Sequence, residues 1–164
     1  MNSKIVAAAC ALLALPALAS ARPAPRQAPG FLGKWALDVT RMPVTYGTPP
    51  KSVTYSFLDI GNGVWQTDID IVMPDASVRH MEVRYRRDGQ AVKGEGDKLE
   101  GDSAAVNSPA PNVMVMSLAK EKSLESVRVY AVSADGKEMI ESAADVDDKG
   151  VPFVRNFRFT RISG

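Results

Sequence analysis

From Phe31 to the end of the chain, apolar residues recur at every second position. In Trp65-Gln66-Thr67-Asp68-Ile69-Asp70-Ile71-Val72-Met73 the odd positions are mostly apolar and the even ones mostly polar. The same parity holds for Met81, Val83 and Tyr85 against His80, Glu82 and Arg84. It returns in Val151, Phe153, Phe157 and Phe159 against Asn156, Arg158 and Thr160. A repeat of two sends successive side chains to opposite faces of a strand, and a helix needs a longer period. No long amphipathic helical pattern is present.

The breaks between these runs carry turn chemistry. Gly61-Asn62-Gly63, Asp88-Gly89, Asp135-Gly136 and Asp148-Lys149-Gly150 supply residues that tolerate positive φ, and Pro74-Asp75 and Ser108-Pro109-Ala110-Pro111 are further stops. The spacing predicts strands over 31–40, 52–60, 64–73, 77–86, 90–94, 112–118, 124–133, 137–146 and 151–162. A closed up-and-down barrel needs an even number, so that its first and last strands pair antiparallel. The stretch 102–107 (DSAAVN) supplies the tenth, although its β-propensity is weak. The expected fold is all-β: a closed antiparallel up-and-down β-barrel of ten strands, with eight as the alternative. Alternate loops then share a rim. The longest, from Arg41 to Lys51, contains Pro43, Pro49 and Pro50 and reads as an irregular flap over a mouth. The short turns form a closed floor at the other end.

Composition removes several functions. Lys and Arg total 20 against 19 Asp and Glu, which excludes a generally basic nucleic-acid binder. One Cys and one His exclude a Cys/His zinc cluster and a disulfide framework. Residues 1–21 (MNSKIVAAACALLALPALASA) read as a signal peptide: Lys4 is the positive region, Ile5 to Leu15 the apolar one, and Ala19-Ser20-Ala21 the small-x-small cleavage site. Cleavage is expected after Ala21, giving a periplasmic or secreted protein. The apolar run is too short to span a membrane. Residues 22–30 carry three prolines and read as a disordered leader, with the folded domain over 31–164.

Gly33-Lys34-Trp35 stands near the start of the first strand. A Gly-x-Trp there, followed by a meander of strands and an Arg near the end of the last, resembles the calycins: lipocalins, fatty-acid-binding proteins and their relatives. The likeness is greatest to the small secreted lipocalin-like domains of bacteria. It implies that the Trp packs across the closed floor beneath an Arg from the last strand. Here these are Trp35 and Arg161, next to Gly33; Arg158 fits the parity less well. The connectivity agrees, because the first strand starts at the floor and the tenth ends there. The chain lacks the Thr-Asp-Tyr motif of lipocalins and the helical lid of fatty-acid-binding proteins.

The apolar parity is expected to face inward and line a lumen with Trp65, Ile69, Ile71, Met81, Val83, Tyr85, Tyr130, Phe153 and Phe157. A barrel of this size encloses a small ligand or is simply filled. Three arginines break the parity: Arg79, Arg128 and Arg155. An inward guanidinium is costly to leave unpaired, and a ligand carboxylate would offset that cost through paired hydrogen bonds. Arg128 and Tyr130 share a face and suit one carboxylate. The alternative is that the arginines pair with Glu141 or Asp145. His80 falls on the outer face, as do Asp68 and Asp70. Glu95, Asp97, Glu100 and Asp102 cluster around a glycine-containing loop without calcium-loop spacing. Met114 and Met116 with Val113, Val115 and Leu118 form an apolar run, suiting a strand buried on both faces or an oligomer contact.

The function expected from these features is binding of a small hydrophobic or amphiphilic molecule, with an anionic group as an option that the arginines would suit. The ligand-binding candidates are Arg128, Tyr130, Arg79, Arg155, Trp65 and Tyr85. No catalytic residue, metal or cofactor is called for, nor is a nucleic-acid partner, and the chain is expected as a monomer or weak homo-oligomer. An isomerase, cyclase or hydratase on the same barrel is the second reading. A filled barrel with an envelope-structural or inhibitory role is the third. A cavity holding two or more titratable groups would favour the enzyme, and one with arginines alone the binder.

Overall fold

A computed structural model describes residues 30–163 apart from residue 148, so the signal peptide expected over 1–21 and all but Gly30 of the leader expected over 22–30 lie outside the described residues. Ten strands follow one another: β1 (Gly33–Leu37), β2 (Ser52–Asp59), β3 (Trp65–Val72), β4 (Val78–Tyr85), β5 (Asp88–Gly96), β6 (Ser103–Ala110), β7 (Val113–Lys120), β8 (Ser123–Val132), β9 (Glu138–Val146) and β10 (Pro152–Ser163). Each pairs antiparallel with the next, and β1 closes onto β10. The barrel therefore has ten strands and not eight.

The weakly β-forming stretch did become a strand, and a longer one than expected. Ala104 and Val106 of β6 point inward and are buried, which sets its register despite poor propensity. The break expected over 108–111 is shorter. β6 continues to Ala110, and a register shift between Asn107 and Ala110 lets Pro109 sit where no ladder amide is needed.

The two rims differ as the connectivity predicts. The flap between β1 and β2 holds two 3-10 turns, Val39–Arg41 and Val44–Tyr46. Tyr46 pins it to the wall: its hydroxyl accepts the Asn156 amide at 3.0 Å, and its ring meets Phe157 edge-on at 5.6 Å.

The floor half is solid. Phe31, Trp35, Phe57, Tyr85, Met114, Tyr130 and Met139 are all essentially inaccessible to solvent. The Trp35 indole donates to the Phe31 carbonyl at 2.7 Å. Arg161 lies over its other side and donates to the carbonyls of Gly136, Leu32 and Gly30. Gly30, assigned by sequence to the leader, is thus tied into the floor. Gly33 adopts a φ of 112°, a conformation that disfavours a side chain just before Trp35 turns inward. On the outer wall the run expected to be buried on both faces is buried on one. Met114 and Met116 point in, and Val113 and Val115 are only half-buried beside the exposed Val129.

Candidate functional site

Above the packed floor the barrel opens into a cavity of about 490 Å³, a size suited to a small organic ligand. Its apolar wall includes Leu37, Val53, Ile69, Ile71, Phe153, Phe157 and Phe159. Met42 and Tyr46 of the flap complete it at the mouth. A smaller space of about 60 Å³ lies between β4, β5 and β6, where β4 and β5 pair only over Met81 to Val83.

The three parity-breaking arginines all line the larger cavity. Two of them already have partners. Arg128 donates to Glu141 at 3.2 Å, to Glu100 at 2.6 Å and to the Ser126 hydroxyl at 3.4 Å. Arg79 grips Asp97 with two parallel bonds of 3.0 and 2.9 Å and lies 3.9 Å from Glu100. The carboxylate expected from a ligand at Arg128 and Tyr130 is therefore supplied from within the chain. The acidic loop over 95–102 now has a reason: Asp97 and Glu100 are counter-ions for the lumen. Arg155 differs. It stacks over Phe153 at 4.7 Å and Tyr46 at 5.2 Å, and no carboxylate pairs with it among the described residues.

Glu141 is the most buried charge among the described residues, with 2% of its side chain exposed. Its second carboxylate oxygen accepts the Tyr55 hydroxyl at 3.0 Å. Burial pushes Glu141 above the ordinary carboxylate range, and Arg128 and Tyr55 hold back only part of that rise. Burial alone would weaken the Arg128 charge, but the acidic groups around it, Tyr130, Tyr55, Glu141 and Glu100, raise it instead. Desolvation likewise lifts the Tyr55 phenol well above its usual value, and the Glu141 charge lifts it further.

Trp65 and Tyr85 do not line the larger cavity. Both stand at the floor ends of their strands and belong to the solid lower core. Arg87 stacks on Trp65 at 3.9 Å, and the Tyr85 hydroxyl shares a 2.8 Å bond with Thr67. Burial pushes the Tyr85 phenol up to about 12. Tyr130 is also fully buried and borders only the smaller space. Parity gives the face a side chain takes, while its position along the strand gives its height, and these aromatics sit too low. Conversely, Tyr46, Tyr55 and Ser126 were not singled out. Val53-Thr54-Tyr55-Ser56-Phe57 shows the inward parity that would have found Tyr55.

On the outer face His80 bonds Asp70 at 2.7 Å. Ligand-type atoms of Asp68, His80 and Glu82 lie within 4.8 Å of one another. These groups are already engaged: Asp68 accepts from Gln66, and Glu82 pairs with Arg84 at 2.7 Å.

No protein-family model and no curated protein matches the chain. Solved structures do. The fatty-acid-binding protein 1 of Echinococcus granulosus is 13% identical, with a TM-score of 0.55 over 80% of this chain and 97% of that one. A variant of the fluorescent protein UnaG is 12% identical, with a TM-score of 0.55 over 82% and 97%. At such identities the likeness speaks for the fold. The chain shares the barrel fold of these structures, closed by ten antiparallel strands and built without a helical lid among the described residues.

Proposed function

We propose that this protein is a secreted or periplasmic carrier of a small amphiphilic molecule held in the mouth half of the barrel. The observation that carries the reading is the cavity of about 490 Å³ above a filled floor, walled by apolar side chains and closed over by a pinned flap. The fold supports it, since one structural neighbour is by its own name a fatty-acid-binding protein. The segment over 1–21 supports export, and no helix of the described residues is long and apolar enough to cross a membrane. Arg155, half-buried at the mouth, is the place for an anionic or hydrogen-bond-accepting group.

The cavity also holds titratable carboxyls, which favours acid–base catalysis as the second reading. Both oxygens of Glu141 are engaged, one by Arg128 and one by Tyr55, and Glu100 is held by Arg128. A carboxylate held this way is placed for recognition rather than for proton transfer to a substrate. The test is native mass spectrometry of the protein purified from its own source. A co-purifying small molecule released on denaturation is expected. Consistently bare protein overturns the carrier reading, and steady chemical conversion of the released molecule by added protein turns it into an enzyme.

A further inference from the structure

Large aliphatic side chains stand clear of the protein around the mouth of the cavity. They are Val44 in the flap, Val78 at the start of β4, Leu99 between β5 and β6, Leu124 at the start of β8, and Val146 and Val151 on the two sides of the β9–β10 turn. Each of these residues is between 55% and 93% exposed, and every mouth connection contributes. Single exposed aliphatics are common on any surface, but a set repeated on each connection around one opening is a patch.

Lysines accompany them. Lys51, Lys98, Lys122 and Lys149 are exposed on four of the same connections. Lys98 adjoins Leu99, and Lys122 and Lys149 stand two residues from Leu124 and Val151. No carboxylate holds these amines in an ion pair among the described residues. Several acids of these loops are instead turned back into the protein. Asp75 accepts from the Ser77 amide, Asp97 from Arg79, and Asp147 from the amides of Lys149 and Val151. Glu121 is exposed among the lysines, so the aliphatic tips carry most of the attraction and the amines bias it.

We infer that the mouth rim docks on a phospholipid surface, with the aliphatic tips below the head groups and the lysines on phosphates and anionic lipid. A lipid surface fits better than a protein partner because the tips sit on separate loops at one end of the barrel, and a fluid plane meets all of them at once. They surround the entrance of the lumen, so docking joins the lumen to the layer in which an amphiphile dissolves. The cargo then enters without exposing its apolar body to water. This inference rests on the carrier reading and adds the place where cargo is exchanged.

The test is co-sedimentation with vesicles of phosphatidylcholine alone and of phosphatidylcholine with about 25% phosphatidylglycerol. The chain from Arg22 onward is used, so that the apolar stretch over 5–15 cannot itself bind lipid; the described barrel is left whole. Binding is expected to both, at least tenfold tighter to the mixture and weakened by salt. Val44→Asp with Leu124→Asp alters two tips that do not line the cavity. It is expected to lower affinity for the mixture at least tenfold while calorimetric binding of decanol stays unchanged. Lys122→Glu with Lys149→Glu is expected to remove the preference for the mixture. Ile162→Asp, exposed at the floor, is expected to change nothing. Vesicle binding that is absent, insensitive to the tip and lysine variants, or lost equally in the Ile162 variant overturns the inference. A dimer abolished by the tip variant, without vesicle binding, overturns it too and assigns the rim to a second copy. Decanol bound by the parent in any of these cases leaves the carrier standing, and decanol left unbound overturns that reading whatever the vesicles show.

Discussion

The Arg161 guanidinium lies 4.1 Å from the centre of the Trp35 ring, and the two residues are paired across β1 and β10 at the seam that closes the barrel. Stacking on the indole and donation to three floor carbonyls make Arg161 a clasp between the chain's two ends. Arg161→Met is expected to lower the unfolding free energy by about 2–3 kcal/mol, from lost cation–π attraction and carbonyls left without a donor. Arg161→Lys keeps the charge without the planar fork and is expected to restore less than half of it. Urea denaturation measures both, and ligand affinity is expected to stay unchanged because the site is in the other half of the barrel. A loss below about 0.5 kcal/mol would show that the clasp contributes little.

The flap makes a kinetic prediction. Tyr46 is its bolt, through Phe157 and the Asn156 amide. Tyr46→Ala is expected to speed ligand release roughly tenfold while changing stability by less than about 1 kcal/mol, as for a lid that gates without supporting the core. Stopped-flow displacement gives the rate. An unchanged rate would place the exit elsewhere, at the narrow space between β4 and β5.

Gly96 tests the weakly paired part of the wall. It has a φ of +83°, and an added Cβ would stand 2.3 Å from the His80 carbonyl oxygen. Backbone cannot swing aside as a side-chain tip can. Gly96→Ala is expected to cost about 2–4 kcal/mol, combining left-handed strain with loss of the short β4–β5 ladder. Amide exchange at Asp97, whose N–H bonds the His80 carbonyl, reports the ladder directly. Exchange as slow as in the parent would contradict this.

His80 predicts a pH effect. Its bond to Asp70 is the main cause that raises it above 6.5, outweighing slight desolvation, and the Asp70 charge adds to the rise. A histidine whose folded pKa exceeds its unfolded one adds stability that is complete below pH 6.5. That stability is lost as the pH climbs through the folded value. Because His80 is exposed, the contribution is small and is best read as a titration curve. Asp70→Asn is expected to bring the imidazole midpoint back down in an NMR titration, and an unmoved midpoint would mean that Asp70 is not its partner in solution.

The fold was legible because its determinants are local. Alternation sets the face, turn residues set the ends, and an even strand count forces closure; β6 was recoverable from these alone. The floor pair was legible because connectivity puts the start of β1 and the end of β10 on one rim. The site was only partly legible. That Arg79, Arg128 and Arg155 point inward follows from parity. Which of them is paired depends on a loop, from Asp97 to Asp102, folding back over the wall, and no local pattern encodes that. Glu141 follows the inward parity of Met139 and Ala143, so its pairing with Arg128 was open to the sequence as an alternative. Tyr46 sits in a proline-rich flap without periodicity, and its contacts are with residues more than 100 positions away.

The central claim is that the mouth half of the barrel is an open lumen above a filled floor. Methyl NMR during titration with decanol tests it most directly, because a neutral probe does not depend on the charge of the site. The account predicts saturable shifts in Val53, Ile69, Ile71 and Met73, with Val106, Met114 and Met139 unmoved. Shifts confined to outward-facing Val113, Val115 and Val129, or none at saturating decanol, would contradict it.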